Sequence, residues 1–216
     1  MEHATQRFIP VLPIRNTVIF PGVALPLRVG RQKSMAAVKL ASQTAKSGDW
    51  IVTVAQKTER EGDPTPGDLY NVGTLAKIEK VRGNSEDGYQ VLVRGVARFR
   101  IDEWVERDGA ILALGEEWKD FEDADASTLK ALSESLKTTG REILDLLPSD
   151  TTQLQELLSG IEDLSLLTHL CAGNSELELS KKQELLETPS LKNRALQGGH
   201  QIPKKSMTKG LPSRFA

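Results

Sequence analysis

The sequence predicts an α+β protein in which a small β-barrel with one packed helix is followed by a small α-helical bundle. Three observations carry this. Apolar residues alternate with polar ones in several short runs of the first half, the period of a strand with one wet face. After Trp118 they recur at three- and four-residue spacing, the period of a helix. Between the two patterns lies an acidic, small-residue stretch, residues 120–127. The change of period places a barrel domain at 8–118 and a bundle at 119–196, with a basic tail at 197–216.

Val18, Ile19 and Phe20, then residues 23–29, form β-rich runs punctuated by Pro10, Pro13, Pro21 and Pro26. Proline removes a ladder donor, so these segments are expected to be edge or bent strands. Residues 32–46 place Met35, Val38, Ala41 and Ala45 on one helical stripe, with Gly48 positioned as a C-terminal cap. Residues 51–55 are a short apolar run suited to a buried strand. The segments Ala76-Lys77-Ile78-Glu79 and Arg98-Phe99-Arg100-Ile101 alternate. Between them, residues 83–88 have the composition of a hairpin loop.

In the second half, Ser127 is expected to cap a helix carrying Leu129, Leu132, Leu136, Ile143 and Leu147, stopped by Pro148. Leu154, Leu157, Leu158 and Ile161 predict a second helix, and Leu166, Leu167, Leu170 and Cys171 a third. Ser180-Lys181-Lys182-Gln183 reads as a capping box opening a fourth. Residues 191–196 begin another helix that Gly198-Gly199 is expected to end. Beyond it the tail has too few apolar residues to offset its ordering entropy, and disorder is expected.

Composition excludes several function classes. The 216 residues are 38% hydrophobic and 27% charged, with a net charge of −2, so no global field attracts nucleic acid or anionic membrane. A single Cys171 rules out an internal disulfide framework, and no apolar run reaches membrane-spanning length. The N-terminus lacks the apolar region of a signal peptide, so a cytoplasmic location is expected.

The chemistry-bearing motifs are missing or explained otherwise. The loop at 83–88 has no lysine and no following helix, so it is not a phosphate cradle. His3, His169 and His200 are scattered, and His169 and Cys171 would point to different helix faces, so no metal is expected. Cys171 is read as a small core residue and His169 as a surface or boundary one. Ser180 is read as a helix cap, and Glu116-Glu117 as a solvated boundary. No catalytic residue, cofactor or metal site is therefore assigned, and no ATPase or peptidase motif is found. Arg94, Arg98 and Arg100 are near one another on one strand. A solvated or salt-bridged face is preferred there over an RNA site, which would want interleaved aromatics.

Five ordered blocks then point to a family. They are Leu12-Pro13-Ile14-Arg15-Asn16-Thr17-Val18-Ile19-Phe20-Pro21; Pro26-Leu27-Arg28-Val29-Gly30-Arg31-Gln32-Lys33-Ser34; Ala55-Gln56-Lys57 with Asp63-Pro64; Asp68-Leu69-Tyr70-Asn71-Val72-Gly73-Thr74-Leu75-Ala76; and Val91 through Ile101. Glu178-Leu179-Ser180 and Lys182-Gln183-Glu184-Leu185-Leu186-Glu187 extend the pattern. Over residues 8–196 the sequence resembles the amino-terminal substrate-recognition domain of Lon-type ATP-dependent proteases.

The resemblance implies a PUA-like β pseudo-barrel followed by a bundle. It also implies a non-catalytic role in recognising unfolded or tagged polypeptide segments and in helping a protease assemble, with a separate protease or a second copy as further partners. Full-length members continue into an ATPase and a Ser-Lys peptidase. Here the pattern ends near Gln197, which leaves a stand-alone module and a shortened gene product as the two expectations. Most motif residues have structural roles on this view: Pro13, Pro21 and Pro26 bend or protect edges, Gly30 starts the helix, and Gly73 and Gly95 allow close backbone approach. A client is expected either along an exposed strand edge or in an apolar groove between barrel and bundle. Phe20 and Tyr70 are candidates by type, with core packing preferred for each, and no binding residue is assigned. The alternative function is an RNA-binding PUA-like module.

Overall fold

In the computed structural model the described residues are 8–43, 49–58, 62–84, 86–145 and 150–201, and the chain divides into two compact units, Met1–Trp118 and Lys119–Ala216. The first unit contains β1 (Ile9–Ile14), β2 (Ala24–Val29), α1 (Gln32–Gln43), β3 (Trp50–Ala55), a 3-10 turn (Pro66–Asp68), β4 (Val72–Asn84), β5 (Gly88–Arg107) and β6 (Ala110–Glu117). The strand order is β2-β5-β4-β3-β1-β6, and β6 pairs back onto β5. Five strands thus close into a barrel, and β2 lies on β5 as an added edge.

Alternation builds two cores. Along β1, Leu12 and Ile14 join a cluster with Val38 and Ala41 of α1, Ile51, Ile78, Val91 and Leu112. Val11, one residue out of phase, joins Val52, Val54, Leu69, Phe99 and Ile111. Both faces of β1 and β3 are therefore covered, and each fully buried aliphatic contributes about 1.5–3 kcal/mol of transfer free energy.

Two expectations for this unit are corrected. The strand expected at residues 18–20 is a buried non-strand segment, in which Thr74 Oγ1 donates to Ile19 O at 2.5 Å and, in a turn, Val23 N donates to Phe20 O at 3.1 Å. β1 is interior to the sheet and not an edge, despite two prolines. Pro10 pairs only with β6 and Pro13 only with β3, so each missing N–H falls where the strand is paired on one side. Helix α1 runs to Gln43, and residues 44–48, with the expected Ala45 stripe and Gly48 cap, lie outside the described residues. Gly30 has open space around a would-be Cβ, so its part at the helix start is not steric. By contrast, a methyl on Gly73 would sit 2.4 Å from Thr53 O, and one on Gly95 2.3 Å from Phe20 O, as close backbone approach requires.

The second unit holds α2 (Ala126–Leu144), α3 (Thr152–Gly160), α4 (Leu164–Asn174), α5 (Leu179–Glu187) and α6 (Leu191–Gln201). Leu136, Leu164, Leu167, Leu191 and Ala195 form its core. Arg194, without any exposure, donates to Asp120 through both terminal nitrogens, and also to Thr188 O and Ser165 Oγ, each at 3.0 Å. That clasp ties the start of the unit to α6 and α4.

Here too the residues override some local signals. Asp125, not Ser127, caps α2, accepting from Thr128 N at 2.9 Å, and Ser127 lies within the helix. Ser180 lies inside α5, which opens at Leu179, and Gln183 donates to Glu187 Oε1 at 2.7 Å instead of reaching back. The two glycines do not end α6. Added methyls on Gly198 and Gly199 would meet Thr168 Cγ2 at 3.6 Å and Leu136 Cδ2 at 3.5 Å, so both positions are packed turns of helix against α4 and α2. The helix therefore takes residues 197–201 from the expected tail, and residues 202–216 lie outside the described residues, as do Leu147 and Pro148.

Candidate functional site

Arg94, Arg98 and Arg100 do not share one strand face. Leu75 pairs with Ala97 and Ala76 with Gly95, so Val96 is an extra residue in β5. The bulge reverses the strand: Val91 and Val93 enter the first core, whereas Phe99 and Ile101, of the same parity, enter the second. Arg94 therefore points to the opposite side from Arg98 and Arg100. Arg98 is only 2% exposed, with its guanidinium carbon 4.9 Å from the centroid of the Trp118 ring. Arg100 pairs with Glu116 at 2.5 Å and Arg94 with Glu79 at 2.5 Å. The salt-bridged outcome holds for Arg94 and Arg100, and the three arginines give the RNA reading no support.

Phe20 is fully buried, and Tyr70 packs against the second core, so neither is a free contact residue. Arg31, within the second motif block, donates to Gln56 Oε1 at 2.7 Å and to Pro13 O at 2.8 Å. Burial, then the nearby Arg15 charge, pulls its pKa below the ordinary value, with Asp63 opposing. This motif arginine ties β1 to the segment after β3 and is structural. His169 is buried in α4, contrary to a surface or boundary position, and Cys171 is partly buried with its thiol pushed up to about 11 by desolvation. Among the described residues no group of three His, Cys, Asp or Glu side chains could hold a metal.

An exposed edge does exist. β2 pairs with β5 alone, in the register Ala24↔Arg94 through Val29↔Tyr89. Gly95 N donates to Val23 O at 2.9 Å, so by ladder alternation Leu25, Leu27 and Val29 bond to β5 while Ala24, Pro26 and Arg28 turn their backbone outward. Pro26 thus sits where its missing N–H interrupts the free donor row, a protected edge as the sequence suggests.

The larger feature, which the sequence analysis does not assign, is the outer face beside that edge. Ile78 pairs with Val93 and Lys80 with Leu92, so Glu79 is a second extra residue, in β4. It reverses β4 and brings Lys80 and Arg82 to the same face as Lys77. Three cross-strand rows result: Ala24–Arg94–Lys77, Pro26–Leu92–Lys80 and Arg28–Gln90–Arg82. All five basic side chains on this face are exposed.

A family model described as the ATP-dependent protease La (LON) substrate-binding domain matches residues 9–197. The chain belongs to this family. Lon protease 1 of Bdellovibrio bacteriovorus is 39% identical over 189 residues, which are 88% of this chain and 24% of that protein. A Lon protease of Anaeromyxobacter dehalogenans is 38% identical over 186 residues, 86% of this chain and 22% of that protein. The chain spans about a quarter of the length of these relatives. In fold, it resembles the N-terminal domain of the Mycobacterium avium complex Lon protease, with a TM-score of 0.72 at 21% identity over 91% of this chain and 100% of the other. The LON substrate-binding family thus accounts for the α+β architecture, a barrel with one helix and then a bundle. No helix among the described residues is long and apolar enough to cross a membrane.

Proposed function

We propose that this LON substrate-binding chain is a non-catalytic polypeptide-recognition module of the cytoplasm, binding unfolded or tagged protein segments and assisting the assembly of a protease. The observation that carries the proposal is the family match over residues 9–197, which takes in every element from β1 to α5 and most of α6. The burial of Arg98 and the pairing of Arg94 and Arg100 favour a protein client over RNA. Its further partners are a separate protease or a second copy of itself.

The test uses the purified chain. Fluorescence anisotropy with a labelled, denatured neutral polypeptide should show saturable binding that the same polypeptide in its folded form lacks. The chain alone should neither hydrolyse ATP nor cleave casein. ATP-dependent degradation by the chain alone, or equal affinity for folded and unfolded clients, would overturn the proposal.

A further inference from the structure

The outer face of β2, β5 and β4 is a built cationic surface, and the structure assigns it an acidic polypeptide segment as its ligand. This rests on the polypeptide-recognition reading above and names the chemical class of client. Arg28, Lys77, Lys80, Arg82 and Arg94 share this face, and Glu79 is the acid within it, spent on Arg94 at 2.5 Å. Among the described residues no acidic side chain pairs with Arg28, Lys77, Lys80 or Arg82. Strands about 4.8 Å apart and rows about 6.8 Å apart confine these cations to roughly 10 by 14 Å. Like charges this close repel in the free protein. An external polyanion relieves that repulsion and gains complementarity from the same groups.

The surface selects among polyanions. Its outward residues are Ala24, Pro26, Arg28, Lys77, Lys80, Arg82, Gln90, Leu92 and Arg94, with no aromatic among them, and Tyr89 belongs to the opposite, core-packed side. Single-stranded nucleic acid takes much of its affinity from stacking on aromatic rings, which this face does not offer. Pro26 and half-buried Leu92 lie in the central row between cations. They suit an extended peptide whose carboxylates flank small apolar side chains. Outward carbonyls of Ala24, Pro26 and Arg28 offer acceptors to such a chain along the β2 edge, although Pro26 keeps a full ladder from forming.

The experiment is anisotropy titration of the full chain with a labelled peptide of about ten residues, long enough to cross the face at about 3.4 Å per residue. The peptide alternates glutamate with alanine or valine, and a glutamine version and a single-stranded RNA of equal charge are the comparisons. The expected result is binding to the acidic peptide that falls by about tenfold or more in the K80E/R82E variant and in Arg28→Glu, and collapses near 1 M salt, where the screening length is about 3 Å. Arg107→Glu, an exposed cation elsewhere on β5, should leave it unchanged. Circular dichroism melting of each variant guards against misfolding, and the milder Lys80→Gln should give an intermediate loss. Unaltered affinity in both charge-reversal variants would overturn the inference, as would tighter binding of the RNA. Should the chain bind denatured neutral polypeptide but not the acidic peptide, this inference fails while the recognition function stands. Should neither bind, both fail.

Discussion

Replacing Asp120 with alanine attacks an ion pair whose arginine is wholly buried and whose aspartate is partly so. Arg194 has no exposure, and Asp120 supplies two of its four hydrogen bonds, the others coming from Thr188 O and Ser165 Oγ. Removing one partner of a buried pair strands the other charge, at a cost of about 3–5 kcal/mol. Asp120→Asn keeps an acceptor but loses the charge assistance, so its cost should be nearer about 1.5–3 kcal/mol. Adding Arg194→Met to the alanine variant removes the stranded cation and should recover much of the loss. In a unit of about this size each kcal/mol moves the melting temperature by about 4–8 °C, so Asp120→Ala should lower it by about 12 °C or more. Urea and thermal unfolding followed by far-ultraviolet circular dichroism measure all three variants. The reasoning is refuted if Asp120→Ala costs under about 1 kcal/mol, the range of exposed pairs, or if Arg194→Met deepens the defect.

Other outcomes follow from single positions. Gly95→Ala would drive a methyl to 2.3 Å from Phe20 O, so overpacking should cost about 1–3 kcal/mol, whereas Gly30→Ala, with nothing within 4 Å, should be close to neutral; denaturant midpoints compare the two. Cys171, its thiol pushed up to about 11, should stay protonated at pH 8 and react slowly with a thiol reagent, its rate rising toward that value and jumping on unfolding. Asp125 is held well below the ordinary carboxylate range, first by Ser127 Oγ and then by Thr128. A depressed folded pKa means the cap is in full strength above the unfolded value of about 4 and weakens as pH falls below it toward the folded value. Acidification should therefore fray the start of α2, and Asp125→Ala should remove that pH dependence, as amide exchange at Thr128 and Leu129 would report.

Where burial alone decides, periodicity was sufficient. Residues 51–55 form a buried strand, Ala76 and Ile78 face the core while Lys77 and Glu79 do not, and Leu136, Leu164 and Leu167 meet in one cluster. Local signals failed where tertiary contacts outweighed them. Gly198 and Gly199 read as a helix stop, but α6 continues through both, where they pack against Thr168 and Leu136. Val18, Ile19 and Phe20 have strand propensity, but the Ile19 and Phe20 carbonyls are met by Thr74 and a tight turn, and the segment joins no ladder. Ser180 and Gln183 match a capping box in type and spacing. The helix starts one residue earlier because Lys182 N already bonds Glu178 O at 3.0 Å.

The candidate site was hidden for one physical reason: two bulges. Alternation assumes that parity along a strand names a face, and each inserted residue inverts that assignment downstream. By parity Arg94, Arg98 and Arg100 form one patch, whereas the extra Val96 sends Arg94 one way and Arg98 into contact with Trp118. By parity again Lys80 and Arg82 would follow Ala76 and Ile78 toward the core, which the free energy of burying two unpaired cations forbids. The extra Glu79 removes that conflict, places both cations beside Lys77, and leaves its own carboxylate free to reach Arg94. One residue in β4 thus both assembles the cationic face and supplies the counterion for one of its members. A basic residue at the parity of a core run is therefore the signal that locates such a bulge from sequence: Lys80 and Arg82 after Ala76 and Ile78 require a phase change between residues 78 and 80.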